Sequence, residues 1–185
     1  MFEKLYPTES ASSTYAIDFK SLYEQGFRGI IFDIDNTLVC HGKPADDRCT
    51  RKIAELTGMG YKVLFLSNNK EPRVKSFSDS LPGTMYIYKA GKPSVKGYEK
   101  AMEMMGTDTV DTLFVGDQIF TDIWGANKAG IYSILVGRIG FHEEIQIHLK
   151  RIIEQPVLWA YRHKLRKAAK TGSSSTDRYT PLTKT

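Results

Sequence analysis

The sequence predicts an α/β fold in three layers, with a central, mainly parallel sheet covered by helices on both faces and no cap domain. Five short runs are almost continuously apolar, which suits strands buried on both faces. Between them lie stretches with helical periodicity, most of them bounded by a glycine or a capping residue, which suits crossover helices. The polar residues that interrupt the runs fall at their C-terminal ends, where ligands bind in sheets of this kind.

Residues 1–27 read as a lead-in with one short helix over Asp18 to Gln25, which Asp18 can cap and Gly26 can end. RGIIFDID is the first strand. Asp47 to Met59, with Ile53 and Leu56 three apart, is a helix stopped at Gly60. KVLFLSNN, from Lys62, is the second strand. Glu71 to Ser80 is a helix that tolerates Pro72 in its first turn. TMYIYK is the third strand, and Ser94 to Met105 is a helix ended by Gly106. TLFVGDQ is the fourth strand, Thr121 to Ala129 a helix ended by Gly130, and YSILVG the fifth strand. The expected organisation is the lead-in, a domain over 28–140, a basic helical segment over 141–170 and a polar, disordered tail over 171–185.

Composition narrows the class. Apolar residues make up 41% of the 185 and charged residues 25%, enough for a core and ordinary for a globular domain. No apolar run is long enough to span a bilayer, and MFEKLYPTES has no apolar stretch to serve as a signal peptide. Cys40 and Cys49 form neither a CxxC pair nor a disulfide framework, so the expected location is the reducing cytoplasm. The four histidines form no close ligand pair, which argues against zinc. The net charge is +5. Residues 1–140 balance, and the whole excess lies in residues 141–185, a statement about partners rather than fold.

The polar residues at the strand ends form one set. Asp33 and Asp35 end the first run, and by strand alternation they should share a face. Ser67, Asn68 and Asn69 end the second, Lys92 follows the third, and Gly116 and Asp117 end the fourth with Asp122 beyond. Singly these are turn, capping or surface residues. Together they fit phosphoryl transfer through an aspartyl-phosphate, which needs a carboxylate nucleophile, an acid/base and charge stabilisation. Mg²⁺ would suit the oxygen ligands, with carboxylates from Asp33 and Asp117 and a backbone carbonyl near Asp35. Close carboxylates push their pKa values apart, so Asp33 can attack while Asp35 protonates the leaving oxygen and later activates water. Ser67 can bond a phosphate oxygen and Lys92 can neutralise developing charge.

The order DIDNT, LSNN, GKP and GDQIFTD resembles the four motifs of the haloacid dehalogenase (HAD) superfamily. The resemblance implies a HAD-like Rossmannoid fold. It implies Asp33, Asp35, Ser67 and Lys92 as catalytic residues, and Thr37, Ser67, Asn68 and Lys92 as ligands of the substrate phosphate. It implies Asp33, Asp35, Asp117 and Asp122 as the Mg²⁺ set. Asp at position 33 favours phosphatase over dehalogenase chemistry, and Asp35 favours phosphatase over ATPase. The finer wording DNTLV, SNN, YKAGKP and TDIWGAN is similar to the YqeG-type subclass IIIA phosphatases, relatives of the mitochondrial phosphatidylglycerophosphate phosphatases. Asn36 stands where glycine is usual after the second aspartate, a departure that looks typical of the subgroup. Neither 38–47 nor 67–92 has room for a cap domain, so the site is expected to be open, as suits a phosphate on something large.

FHEEIQIHLKRIIEQPVLWAYRHKLRKAAK reads as helical and broken near Pro156. Residues 162–170 hold five basic residues and no acid, and with Trp159 and Tyr161 this segment can lie on an anionic membrane or pack on the domain. Nucleic acid is disfavoured, since no binding motif accompanies the charge. The expected partner is a phosphorylated substrate, with phosphatidylglycerophosphate in phospholipid synthesis as the specific expectation. The alternatives are a phosphoprotein, nucleotide or sugar phosphate, or a non-catalytic scaffold recruiting a partner through the basic segment. Peripheral placement on the inner face of the membrane goes with the lipid reading.

Overall fold

A computed structural model describes residues 3–139 and, beyond them, Trp159, Arg162, His163 and Arg166. Six parallel strands make one sheet: β1 (Glu9–Ala11), β2 (Gly29–Phe32), β3 (Lys62–Leu66), β4 (Thr84–Ile87), β5 (Thr112–Gly116) and β6 (Tyr132–Val136), in the order β1-β6-β5-β2-β3-β4. Five correspond to the predicted apolar runs. The sixth, β1, lies inside the predicted lead-in and pairs with β6, Glu9 opposite Ile134 and Ala11 opposite Val136. Three residues reading ESA carry no periodicity, so only the tertiary fold reveals this edge strand.

Helices α1 (Phe19–Glu24), α2 (Asp47–Met59), α3 (Glu71–Asp79), α4 (Val95–Met105) and α5 (Trp124–Lys128) complete the layers. Asp18 caps α1 by accepting from Ser21 N at 3.0 Å, and Asp46 caps α2 by accepting from Cys49 N at 2.8 Å. Strand alternation divides the core in two. Ile30 and Phe32 face the α1, α2 and α3 side with Phe19, Ile53, Leu56 and Phe77. Ile31, Leu64 and Phe114 face the α4 and α5 side with Tyr98, Ala101 and Ala126.

The predicted helix over Thr121 to Ala129 is two pieces: a wide π turn at Ile119–Ile123, then α5. The strand order reverses direction between β2 and β5, and ligands bind at such a switch point, off the carboxyl ends of the strands. Asp33 follows β2 there and Asp117 follows β5. No cap domain stands over this rim among the described residues. No helix among them is long and apolar enough to cross a membrane. Trp159, Arg162, His163 and Arg166 are helical and exposed, with the Trp159 and His163 rings 5.5 Å apart. The amphipathic pattern predicted over 141–170 and the tail over 171–185 otherwise lie outside the described residues.

Candidate active site

Four loops, each leaving the end of a strand, bring the predicted residues to one rim. Asp33, Asp117, Asp122 and Lys92 are each no more than 7% exposed. Lys92 Nζ donates to Asp33 Oδ1 at 2.6 Å and to Asp122 Oδ1 at 2.7 Å. The Gln118 amide donates to Asp122 Oδ2 at 3.0 Å. One carboxylate oxygen from each of Asp33, Asp117 and Asp122 lies within 4.8 Å of the others. Gly116 makes room for this approach, since a Cβ there would sit 2.7 Å from Asp122.

Burial pushes the Asp33 carboxyl up to about 7, with Asp122 repelling its charge and Lys92 opposing the rise. Burial, then Asp122 and Asp33, likewise hold the Asp117 carboxyl well above the usual carboxylate range. Burial works against the Lys92 ammonium, but Asp122 and Asp33 outweigh it and raise its pKa.

Arg138 joins the cluster, its Nε 2.7 Å from Asp117 Oδ2. That oxygen is buried and receives no aligned hydrogen bond, so the contact is Coulombic. When all three carboxyls are ionised they outnumber Lys92 and Arg138 by one among the described residues. An all-oxygen donor set and carboxylates in excess of cations suit a hard divalent cation. Asp33, Asp117 and Asp122 fit that requirement.

Asp33 and Asp35 meet different partners. The paired register of β2 ends at Phe32, short of Asp35, and Asn36 beyond it takes a left-handed φ of 64°. Asp35 accepts instead from Asn69 Nδ2 at 2.6 Å, Arg73 Nη2 at 2.9 Å and the Gly42 amide at 2.8 Å. Its side chain is therefore outside the acidic cluster, leaving its carbonyl as the atom for the expected metal role. His41 Nδ1 stands 4.0 Å away.

The remaining predicted residues are buried or bonded nearby. Thr37 is fully buried, its hydroxyl 3.4 Å from Asp117 Oδ1. Ser67, also buried, accepts from the Asn69 amide at 3.2 Å. Asn68 grips the Lys92 backbone with both ends of its amide: Nδ2 donates to Lys92 O at 3.2 Å, and Oδ1 accepts from Lys92 N at 2.8 Å. Its geometry is that of a brace for Lys92.

Residues outside the sequence expectation complete the site. Arg73 reaches Asp35 from the first turn of α3 and also donates to Lys43 O at 2.7 Å. Arg138 comes from beyond β6. Tyr98 on α4 donates its hydroxyl to the carbonyls of Thr121 and Asp122, at 3.0 and 3.1 Å, inside the π turn. Gly125 admits that hydroxyl, which a Cβ would meet at 2.4 Å. No local pattern marks Arg73, Arg138 or Tyr98, although a glycine in the middle of a helix, as at 125, does flag a close approach.

Comparison with known proteins agrees with this arrangement. The HAD-hydrolase-like family model matches residues 89–156. Over 166 residues the chain is 36% identical to a Bacillus subtilis protein named "Probable phosphatase YqeG", covering 89% of this chain and 96% of that one. It is 24% identical over 154 residues to the chloroplastic/mitochondrial phosphatidylglycerophosphate phosphatase 1 of Arabidopsis thaliana, covering 75% of this chain and 42% of that protein. A crystal structure of an uncharacterised Listeria monocytogenes protein has the same fold, with TM-score 0.50, 16% identity and coverage of 64% of this chain and 85% of that one. With identity at that level across nearly the whole of the Bacillus protein, and the four motifs gathered at one rim, the chain belongs to the YqeG-type phosphatases of the HAD superfamily.

Proposed function

We propose that the protein is a Mg²⁺-dependent phosphomonoesterase that works through an aspartyl-phosphate on Asp33, and that its substrate is a lipid phosphate, specifically phosphatidylglycerophosphate. The observation that carries the chemistry is the buried cluster of Asp33, Asp117 and Asp122, one negative charge in excess of Lys92 and Arg138. Asp33, Asp117, Asp122 and the carbonyl of Asp35 would hold the cation. When bound, it offsets repulsion between the nucleophile and the phosphate dianion and lowers the carboxyl pKa of Asp33.

The protein's own residues carry the steps. An Asp33 carboxylate oxygen attacks phosphorus. The new P–O bond forms as the ester P–O bond breaks, and the leaving alkoxide takes a proton from Asp35. Asp35 then removes a proton from water, whose oxygen attacks the same phosphorus. Inorganic phosphate leaves and the Asp33 carboxylate is restored. For this, Asp35 exchanges one of its three donors for the leaving oxygen. Lys92 holds Asp33 in line, and Lys92 and Ser67 bear on the phosphate oxygens. The lipid assignment is supported by the open rim, by the similarity to the Arabidopsis enzyme and by the basic residues clustered over 162–170.

Two experiments test this. A chelator should remove phosphatase activity and Mg²⁺ should restore it. Asp33→Asn should neither turn over nor trap labelled phosphate, because an amide cannot form the phosphoenzyme. Near wild-type turnover by that variant overturns the mechanism. For the substrate, kcat/KM for phosphatidylglycerophosphate in vesicles should exceed that for a soluble phosphate ester by at least about tenfold. Equal values sink the lipid assignment and leave the mechanism standing.

A further inference from the structure

The loop after Asp35 is held from outside at three successive carbonyls. Ile139 N–H donates to Asn36 O at 2.8 Å. The Thr14 hydroxyl donates to Thr37 O at 2.7 Å, with both residues fully buried. The Tyr15 hydroxyl donates to Leu38 O at 2.7 Å. None of the three donors belongs to the strand, the loop or the helix that carries the motif. Two of them come from the predicted lead-in, where a single 3₁₀ turn, Thr14–Ala16, follows β1.

The loop needs this support. Asn36 is not glycine, yet its φ is 64°, a conformation that side chains disfavour and that persists only where the surroundings impose it. Inside the loop the bonds are Asn36 N to Val39 O at 2.7 Å, Leu38 N to Ile34 O at 2.9 Å and Thr37 N to Ile34 O at 3.3 Å. They fold it on itself but do not anchor it to the domain. Thr37 is the link to the acidic cluster, through its hydroxyl 3.4 Å from Asp117. Tyr15 is itself held, its ring 3.8 Å beneath the Arg48 guanidinium of α2.

We propose that Thr14 and Tyr15 are positioning residues for the phosphatase reaction: the segment after β1 is a strap that fixes the Asn36–Leu38 peptides, and through them Asp35 and Thr37. This rests on the function proposed above. The strap acts on backbone geometry, so it should govern turnover more than substrate affinity, because small displacements of positioned groups cost rate.

The test is Thr14→Val, isosteric but without a donor, combined with Tyr15→Phe, with Thr14→Ser as the variant that keeps the donor. The double variant should lower kcat for a soluble phosphate ester by about tenfold or more, with KM within about twofold. Native-state hydrogen exchange at the amides of residues 36–39 should speed by about tenfold, with the β3 and α4 amides unchanged. Thr14→Ser should keep wild-type kcat and exchange. Unchanged exchange at residues 36–39 overturns the strap. Faster exchange there with unchanged kcat overturns its positioning role, as does exchange that rises equally throughout the core. A wild-type protein silent towards every phosphate ester would fail the proposed function instead, and the exchange pattern would still decide the strap.

Discussion

Two carboxylates of one motif, Asp33 and Asp35, sit two residues apart and in different surroundings. Asp33 belongs to an inner cluster in which Lys92 bridges it to Asp122 and Arg138 faces Asp117. Asp35 belongs to an outer cluster with Asn69, Arg73 and the Gly42 amide, where the Arg73 side chain is 23% exposed against 3% for Lys92. The inner cluster carries an unbalanced charge and little water. The outer one pairs a single carboxylate, as buried as Asp33, with a guanidinium that is partly exposed. One motif thus places one carboxylate among two others and a lysine, and beside it a second carboxylate held by three donors. Each aspartate is set apart by its own partners: Lys92 for Asp33, and Asn69, Arg73 and the Gly42 amide for Asp35.

The largest expected difference between the clusters is in stability. Lys92→Ala leaves buried Asp33 and Asp122 without the ammonium they share and should cost roughly 3–5 kcal/mol. Arg73→Ala leaves Asp35 with Asn69, Gly42 and water and should cost about 1 kcal/mol. Urea denaturation measures both, and equal costs would erase the distinction between inner and outer.

A smaller effect separates them by pH. With the Asp33 carboxyl pushed up to about 7, the metal-free protein carries a proton there below that pH, and a bound cation must expel it. Affinity for Mg²⁺ should therefore rise by at least about tenfold per pH unit below about 7, and more steeply where Asp117 also gives up a proton. Calorimetric titration in buffers of different ionisation enthalpy shows the released proton. An affinity flat from pH 5 to 8 would place the cation away from Asp33.

The smallest effect falls on catalysis in the outer cluster. Arg73→Gln should slow turnover a few-fold with poor leaving groups and hardly at all with good ones, because it disturbs only the acid that protonates the leaving oxygen. An equal loss with both kinds of ester would assign Arg73 to the phosphate rather than to Asp35.

Much of this was legible in the sequence, for definite physical reasons. Gly60 and Gly106 mark helix ends because a left-handed residue is needed there, and both adopt it, at φ 101° and 61°. The apolar runs locate the central strands because parallel strands are buried on both faces. A parallel sheet then gathers Asp33, Ser67, Lys92 and Asp117 at one rim whatever the loops do. Arg73, Arg138, Tyr98, Thr14 and Tyr15 were not legible, because each acts on a partner that only the tertiary fold supplies. The three donors on Asp35 were not legible either, because the paired register of β2 ends at Phe32 and the loop beyond it is placed by the tertiary fold. The π turn was read as plain helix because no local pattern marks it, and the Tyr98 hydroxyl that bonds two of its carbonyls comes from another element.

The place of β1 has a consequence for the order of assembly. β1 is the first strand of the described residues to leave the ribosome, and its partner β6 is the last. A nascent chain synthesised as far as Gly130 already contains Asp33, Ser67, Lys92, Asp117 and Asp122, but it has nothing for Glu9–Ala11 to pair with. Long-range pairings of this kind close late, after local helices and neighbouring strands have formed. The edge strand therefore closes only once β6 has been made, although the carbonyls that Thr14 and Tyr15 hold, at Thr37 and Leu38, are synthesised long before it.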